Sequence, residues 1–339
     1  MITKDILMRY VDNGLIDFQT HENLDLSIYN YTPKTQYEKF WDNVTLTCRG
    51  LVMSGDVIVA RPFPKFFNFS EHKPEEIPNL PFEVFEKMDG SAGILFYYSG
   101  DWHLATRGSF KSEQAIRGKA MLDSLNLYHK LDPDYTYMFE IIYDENVIVC
   151  RYDFEDMVLI GVIKTSDGYE MPYSEWPKGF RTVEKHNNKN LKELLNTSAI
   201  ESNREGYVVR FSNGFRVKIK GDEYVRLHRI LTNVSTLTIW EYLKDGLPFD
   251  EILNNVPDEF YDSVRKVKED LLMQYSDIEA DALAAFEILR DCPDRKTFAI
   301  LANTTFPNCA SLLFSMLDGK DYSGKIWNMI RPDFEKLSF

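Results

Sequence analysis

Between residues 44 and 220 the apolar positions come in short β-branched or aromatic runs broken by Gly, Asn or Asp, a strand-and-turn pattern. The runs are VTLTCRGLVM, DVIVARPF, FEVFEKM, AGILFYY, WHLAT, TYMFEIIY, NVIVC, MVLIGVI, GYVVRF and FRVKIK. Two helical patterns interrupt them, SEQAIRGKAMLDSLNLYHKL with Ser112 as N-cap and KNLKELLNTSA at 189–199. Neither gives the regular strand-helix-strand rhythm of a doubly wound sheet, so an antiparallel α+β body is expected. After about residue 235 apolar residues recur at three and four spacing, in DSVRKVKEDLLMQY, DIEADALAAFEILRD, DRKTFAILAN and CASLLFSMLDG. This predicts an α+β domain over 1–235 followed by an all-helical domain over 236–339, with no internal repeat.

Composition agrees with a folded chain. Of 339 residues, 44% are hydrophobic and 14% aromatic, enough to bury a core. No run reaches the roughly 18 apolar residues of a membrane span. The opening MITKDILMRYVDNG carries acids where a secretory core would lie, so a cytoplasmic protein is expected. Four scattered cysteines and six histidines form neither a zinc pattern nor a disulfide framework. A net charge of −14 argues against coating nucleic acid through gross charge, but positive charge is concentrated in two places. Residues 103–119 hold four basic side chains against one acid, and 204–229 hold seven against three. The tail from 241 is acidic, with 11 basic and 19 acidic residues.

Two stretches carry candidate chemistry. In FEVFEKMDGSAGILF, Lys87 ends a strand, alternation puts Asp89 on the same face, and Gly90 opens a turn into the next strand. A strand-end ion pair would use the same residues. REGYVVRFSNGFRVKIKGDEY reads as a hairpin whose Asn213-Gly214 suits a two-residue type I′ turn. Pairing Ser212 with Phe215 sets Arg210 against Val217 and Val208 against Ile219. It also gathers Glu205, Tyr207, Val209 and Phe211 on the face of Arg216, Lys218 and Lys220. Glu205 then lies diagonally near Lys220, and a plain cross-strand salt bridge remains an alternative. Lys218 and Lys220 form a two-pronged cation able to clamp a phosphate as its charge develops. A free lysine is neutral only about once in 2,500 at pH 7, so neighbouring cations or desolvation would help Lys87 attack as an amine. Glu140 stands among Met138, Phe139, Ile141 and Ile142, where an unpaired carboxylate is costly.

A nucleophile strand, a carboxylate strand and a hairpin with a carboxylate and paired lysines follow one another in the order of the covalent nucleotidyltransferases. KMDGS resembles the nucleotidyl-lysine motif of ATP-dependent ligases and capping enzymes, and MFEII, EGYVV and VKIK resemble their third, fourth and fifth motifs. Within that superfamily the chain most resembles the phage RNA ligase 1 family, the T-even type of ATP-dependent single-strand RNA ligase. The similar stretches are IYNY at 28–31, CRG at 48–50, RPFPKFFN at 61–68, GSFKSEQA at 108–115, YVRLH at 224–228 and DRKTFA at 294–299.

The resemblance implies an antiparallel-sheet, ATP-grasp-like ligase domain with a helical tail. It implies catalysis by Lys87, Lys218 and Lys220, and nucleotide contacts from Tyr29, Arg49, Lys65, Asp89, Gly90, Arg107, Glu140 and Glu205. Glu140 and Glu205 would serve the metal, with Asp250 a further metal candidate that a helix N-cap or surface acid would equally explain. Where the family has paired lysines this chain has Ala105 and Arg107, which removes Ala105 from the site. The implied cofactors are ATP and Mg²⁺, with Mn²⁺ as the alternative ion. The implied partner is single-stranded or nicked-loop RNA, above all tRNA under repair, and the protein would act as a monomer in a host bacterial cytoplasm if phage-encoded. The alternatives are an inactive RNA-binding or phage-assembly protein on the same fold, and a DNA ligase or capping enzyme, for which an appended OB-fold would be expected.

Overall fold

The computed structural model describes residues 2–187, 190–197, 200, 203–222, 224–225, 235–249, 252 and 261–333. The chain divides into two compact units, Met1–Leu231 and Thr232–Phe339. Among the described residues of the first lie fourteen strands: β1 Ile16–Thr20, β2 Ser27–Tyr31, β3 Arg49–Ser54, β4 Val57–Ala60, β5 Phe67–Asn68, β6 Phe82–Lys87, β7 Ser91–Tyr98, β8 Asp101–Thr106, β9 Tyr135–Ile142, β10 Asp156–Lys164, β11 Arg181–Thr182, β12 Lys185–His186, β13 Gly206–Phe211 and β14 Arg216–Lys220. They form sheets ordered β1-β2-β3-β4, β11-β10-β9-β7-β8 and β12-β6-β13-β14-β5. All pairs are antiparallel except β10 with β11 and β5 with β14, so the α+β expectation holds.

Strand alternation sorts the side chains of β6 between two cores. Val84 packs with Val209, Val217 and Ile219 on one face. Phe85 packs with Leu95, Phe139 and Leu159 of the central sheet on the other. Lys87 shares the Phe85 face and so points toward the strand that bears Glu140. The first sheet meets the central one through Val52, Ala60, Ile94, Phe96 and Met138. Its outer face buries Leu51 and Met53 against Leu7 of the helix Lys4–Asp12.

Several local expectations give way to stronger local chemistry. The VTLT of residues 44–47 lies in a short helix, Asn43–Thr47, because Asp42 and Thr45 make a reciprocal capping box at its start. NVIVC forms no strand, since its Val149 and Cys150 amides are taken by a side chain of the candidate site. The helix capped by Ser112 ends at Leu125, short of residue 131, where Asn126 adopts the left-handed conformation at φ 51°.

The hairpin also departs from the two-residue turn. Phe211 N–H donates to the Phe215 carbonyl, and Gly214 sits at φ 84°, so three residues close the loop. The register therefore moves by one: Arg210 faces Arg216, Val208 faces Lys218 and Gly206 faces Lys220. Tyr207, Val209 and Phe211 consequently leave the lysine face for the core.

In the second unit every described element is a helix: Thr236–Lys244, Tyr261–Leu289, Arg295–Thr305, Ala310–Leu317 and Ser323–Met329. The two sequence patterns at 262–291 merge into one helix of 29 residues, as no Gly or Pro interrupts them. Ala282 and Ala285 on that helix admit Phe298, Leu312, Leu313 and Ile326 to a shared core. Trp240 Nε1–H donates to the Trp327 carbonyl at 2.8 Å, tying the first helix of this unit to the last. Among the described residues no helix is long and apolar enough to cross a membrane.

Candidate active site

Lys87 is the last residue of β6 and pairs with Gly206, the first of β13. That register brings its ammonium to 2.7 Å from Glu205 Oε2, while Lys220 Nζ lies 3.5 Å from Glu205 Oε1. Glu205 is 3% exposed, so its charge is compensated within the protein by these two lysines. The glycine that follows Glu205 is required. Gly206 has φ 148°, and a Cβ there would lie 2.0 Å from the Ile219 carbonyl oxygen. The positive φ breaks strand alternation at this point, and Glu205 reaches the lysines despite the changed hairpin register.

Glu140 approaches from β9 of the central sheet. Its Oε1 accepts a 3.0 Å hydrogen bond from Gly90 N–H. A Cβ at Gly90 would stand 2.6 Å from the Ile141 carbonyl oxygen and 3.2 Å from Glu140 Cγ, so only glycine admits this approach. Burial pushes the Glu140 carboxyl up to about 7; the Glu205 and Asp89 carboxylates add to the rise, while Lys87 and the Gly90 amide oppose it.

The raised carboxyl has a thermodynamic consequence. The folded chain holds this proton between about pH 4.5 and pH 7, where the unfolded chain releases it. Unfolding free energy therefore falls as pH rises through that window, by about 3 kcal/mol. Urea unfolding of EDTA-treated protein should show that slope, and Glu140→Gln should flatten it.

Asp89 has a structural role in the geometry. It is 3% exposed, and its Oδ2 accepts from the Val149 and Cys150 amides at 2.8 and 2.7 Å. Its Oδ1 accepts from Tyr224 Oη at 2.8 Å, and its own N–H donates to Tyr152 Oη at 2.9 Å. Burial, with the Glu205 and Asp89 charges, drives the Tyr224 phenol far up, so it stays a donor to Asp89. The Tyr224 ring also lies 5.4 Å from Lys220 Nζ. Asp89 thus fixes the segment after the lysine and does not line the cavity beside it.

That cavity has a volume of about 470 Å³, within the range of small-molecule sites. Among the expected residues Arg49, Lys87, Gly90, Arg107 and Glu140 line it. Phe66, Phe85, Met138, Ile160 and Val208 give it an apolar wall. It therefore offers a greasy surface for a flat base and cations for phosphates.

Of the other expected contacts, Tyr29, Lys65, Lys218, Glu205 and Lys220 do not line it. Tyr29 is 1% exposed in the core with Leu7 and Leu51. A register shift between Tyr29 and Asn30 breaks the alternation there. Tyr31 instead meets the cations, its hydroxyl accepting from Arg107 Nη1 at 3.4 Å. Lys65 is buried, its ammonium 5.5 Å from the rings of Tyr31 and Phe67 and 5.6 Å from that of Trp41. Lys218 is buried opposite Val208 and beside Asn68. Asp250 lies outside the described residues. Ala105 is fully buried, in keeping with its removal from the site.

Sequence reasoning missed Tyr31, Tyr152 and Tyr224. Tyr31 and Tyr224 stood in the stretches IYNY and YVRLH, but nothing in the pattern said which ring would face the site. Arg216, read only as a cation on the hairpin face, lines the cavity, covers the Phe63 ring at 4.1 Å and pairs with Glu170 at 2.7 Å.

A family model described as RNA ligase matches residues 47–224. The RNA ligase of Rhodothermus phage RM378 is 25% identical over 348 residues, covering 78% of this chain and 76% of its own. A protein of Autographa californica nuclear polyhedrosis virus named as a bifunctional polynucleotide kinase/RNA ligase is 25% identical over 255 residues. That match covers 64% of this chain and only 35% of the viral protein, so the chain spans about a third of that relative. An archaeal ATP-dependent RNA ligase has a similar fold, with a TM-score of 0.51 at 15% identity, covering 82% of this chain and 79% of that one. With Lys87 and Glu140 on the cavity wall, Glu205 linking Lys87 to Lys220, and the matched segment spanning more than half its length, the chain belongs to the RNA ligase family of the phage RNA ligase 1 type.

Proposed function

We propose that this protein is an ATP-dependent RNA ligase that joins 5′-phosphate and 3′-hydroxyl ends through a lysyl-AMP intermediate. The observation that carries the reading is the Lys87 amine on the cavity wall, 2.7 Å from Glu205 and facing the strand of Glu140. The Lys87 nitrogen attacks the α-phosphorus of ATP; an N–P bond forms and the P–O bond to pyrophosphate breaks. Glu205 is placed to take the proton that the amine sheds. Lys220 then stabilises the Glu205 site and the charge developing on the phosphoryl oxygens. AMP passes next to the 5′-phosphate of an RNA end, and a 3′-hydroxyl displaces it to seal the strand.

The residues fit ATP and a divalent ion unequally. The cavity suits a nucleotide in size, with its apolar wall for the base and Arg49 and Arg107 for phosphates. Glu140 would hold a cation such as Mg²⁺, because its carboxyl on the cavity wall lies near other carboxylates that destabilise its ionised form. Glu205 suits that role poorly, since its two oxygens already face two lysines. A bound divalent ion would supply Lewis-acid stabilisation of phosphate charge.

RNA would approach over the basic residues of 103–119, where Arg107 lines the cavity. The proposed physiological substrate is a broken tRNA, supported by the family type alone. The test is to supply ATP, Mg²⁺ and RNA bearing a 5′-phosphate, and to resolve adenylylated and joined products. Both should form. Retention of RNA with neither product would support the inactive binding protein instead.

A further inference from the structure

Next to the strand ends that hold Lys87 and Glu205 lies a second cluster, outside the mechanism above. Glu86 and Arg204 each precede by one residue the two groups that meet at 2.7 Å. Polar atoms of Glu86, Glu184 and His186 lie within 4.8 Å of one another, and the Arg204 guanidinium is the cation among them. Its Nη1 is 3.0 Å from His186 Nε2 and 3.8 Å from Glu86 Oε1, and its Nη2 is 4.0 Å from Glu184 Oε2. His186 Nδ1 is 3.4 Å from Glu184 Oε1.

A guanidinium has only donors, so His186 Nε2 must accept from it and the ring proton must sit on Nδ1, toward Glu184. The ring is therefore neutral when Arg204 is docked. Protonation removes the acceptor and sets two cations in contact. The charged or titratable groups around His186 include Glu184 from its own segment, Glu86 from β6, and Arg204 and Tyr207 from the β13 side. The Tyr207 ring stands perpendicular to the imidazole at 5.2 Å. The two carboxylates attract either cation, so a protonated His186 competes with Arg204 for them. Backbone pairing carries the effect to the site. The Glu86 amide donates to the Glu184 carbonyl at 2.9 Å, His186 pairs with Val84, and Lys87 pairs with Gly206.

We propose that His186 is a positioning residue and a proton-sensitive latch for nucleotide transfer to Lys87: as a neutral imidazole it docks Arg204 and so keeps Glu205 in register with the lysine, and on protonation it lets Arg204 go. This rests on the reading of Lys87 as the nucleophile.

The test is single-turnover labelling of the full chain with α-labelled ATP and Mg²⁺ near pH 6 and near pH 8. It compares wild type with His186→Gln, His186→Ala and His186→Lys, each checked for folding by thermal melting. His186→Lys, with a permanent charge, should label about ten-fold more slowly than wild type at the higher pH. His186→Gln keeps an acceptor that cannot become a cation. It should recover most of what His186→Ala loses, and its rate should fall about three-fold less than that of wild type on acidification. A wild-type pH ratio in His186→Gln would overturn the latch, and this ratio decides alone if His186→Lys does not fold. A wild type that takes no label would refute the nucleophile reading and the latch with it.

Discussion

Lys87→Ala should lose joining of 5′-phosphate RNA by more than about 10³-fold while remaining folded. The lysine side chain is partly open to the cavity, and its main polar partner is Glu205, which keeps Lys220 when the amine is gone. The variant should still seal RNA whose 5′ end already carries AMP, because that step displaces AMP without needing the amine as nucleophile. Gel assays with 5′-phosphate and pre-adenylylated RNA would separate the two. Equal loss with both substrates would mean that Lys87 supports the site's architecture and is not the attacking group.

Asp89→Ala should be the most destabilising single change around the site, at about 3–5 kcal/mol. Removing the carboxylate strands the Val149 and Cys150 amides and the Tyr224 hydroxyl without their acceptor. Each unsatisfied buried donor costs about 1–3 kcal/mol, and a charge-assisted bond more than a neutral one. Tyr224→Phe removes one of those bonds and leaves both amides satisfied, so about 1 kcal/mol is expected. Urea midpoints of the two variants would test the difference. Asp89→Ala costing no more than Tyr224→Phe would show that the amides find other partners.

The sequence reading reached the fold through its strongest patterns: alternating runs became β6 to β10, β13 and β14, and the tail became helices. It failed where one local interaction outweighed propensity. The Asp42–Thr45 box turned a β-branched run into a helix. The third loop residue in the hairpin moved the register by one. The short pairings of β5, β11 and β12 depend on partners distant in the chain, which periodicity cannot see.

At the site, residue types and spacing singled out Lys87, Glu140, Glu205 and Lys220, and the fold brings Lys87, Glu205 and Lys220 into contact. The roles within the cluster were less legible. Asp89 and Tyr29 were read as ligand contacts, yet one ties backbone amides and the other fills a core. Both outcomes depend on what packs behind the strand. The Glu205–Lys220 pair was expected from a turn that does not form, and the positive φ of Gly206 restored it.

The most direct measurement of the central claim is peptide mass spectrometry of the protein after incubation with ATP and Mg²⁺, following removal of any bound AMP with pyrophosphate. The account predicts one AMP attached to the Lys87 side chain, acid-labile as a phosphoramidate and absent from Lys87→Ala. AMP on another residue, or an unmodified chain that still joins RNA, would contradict it.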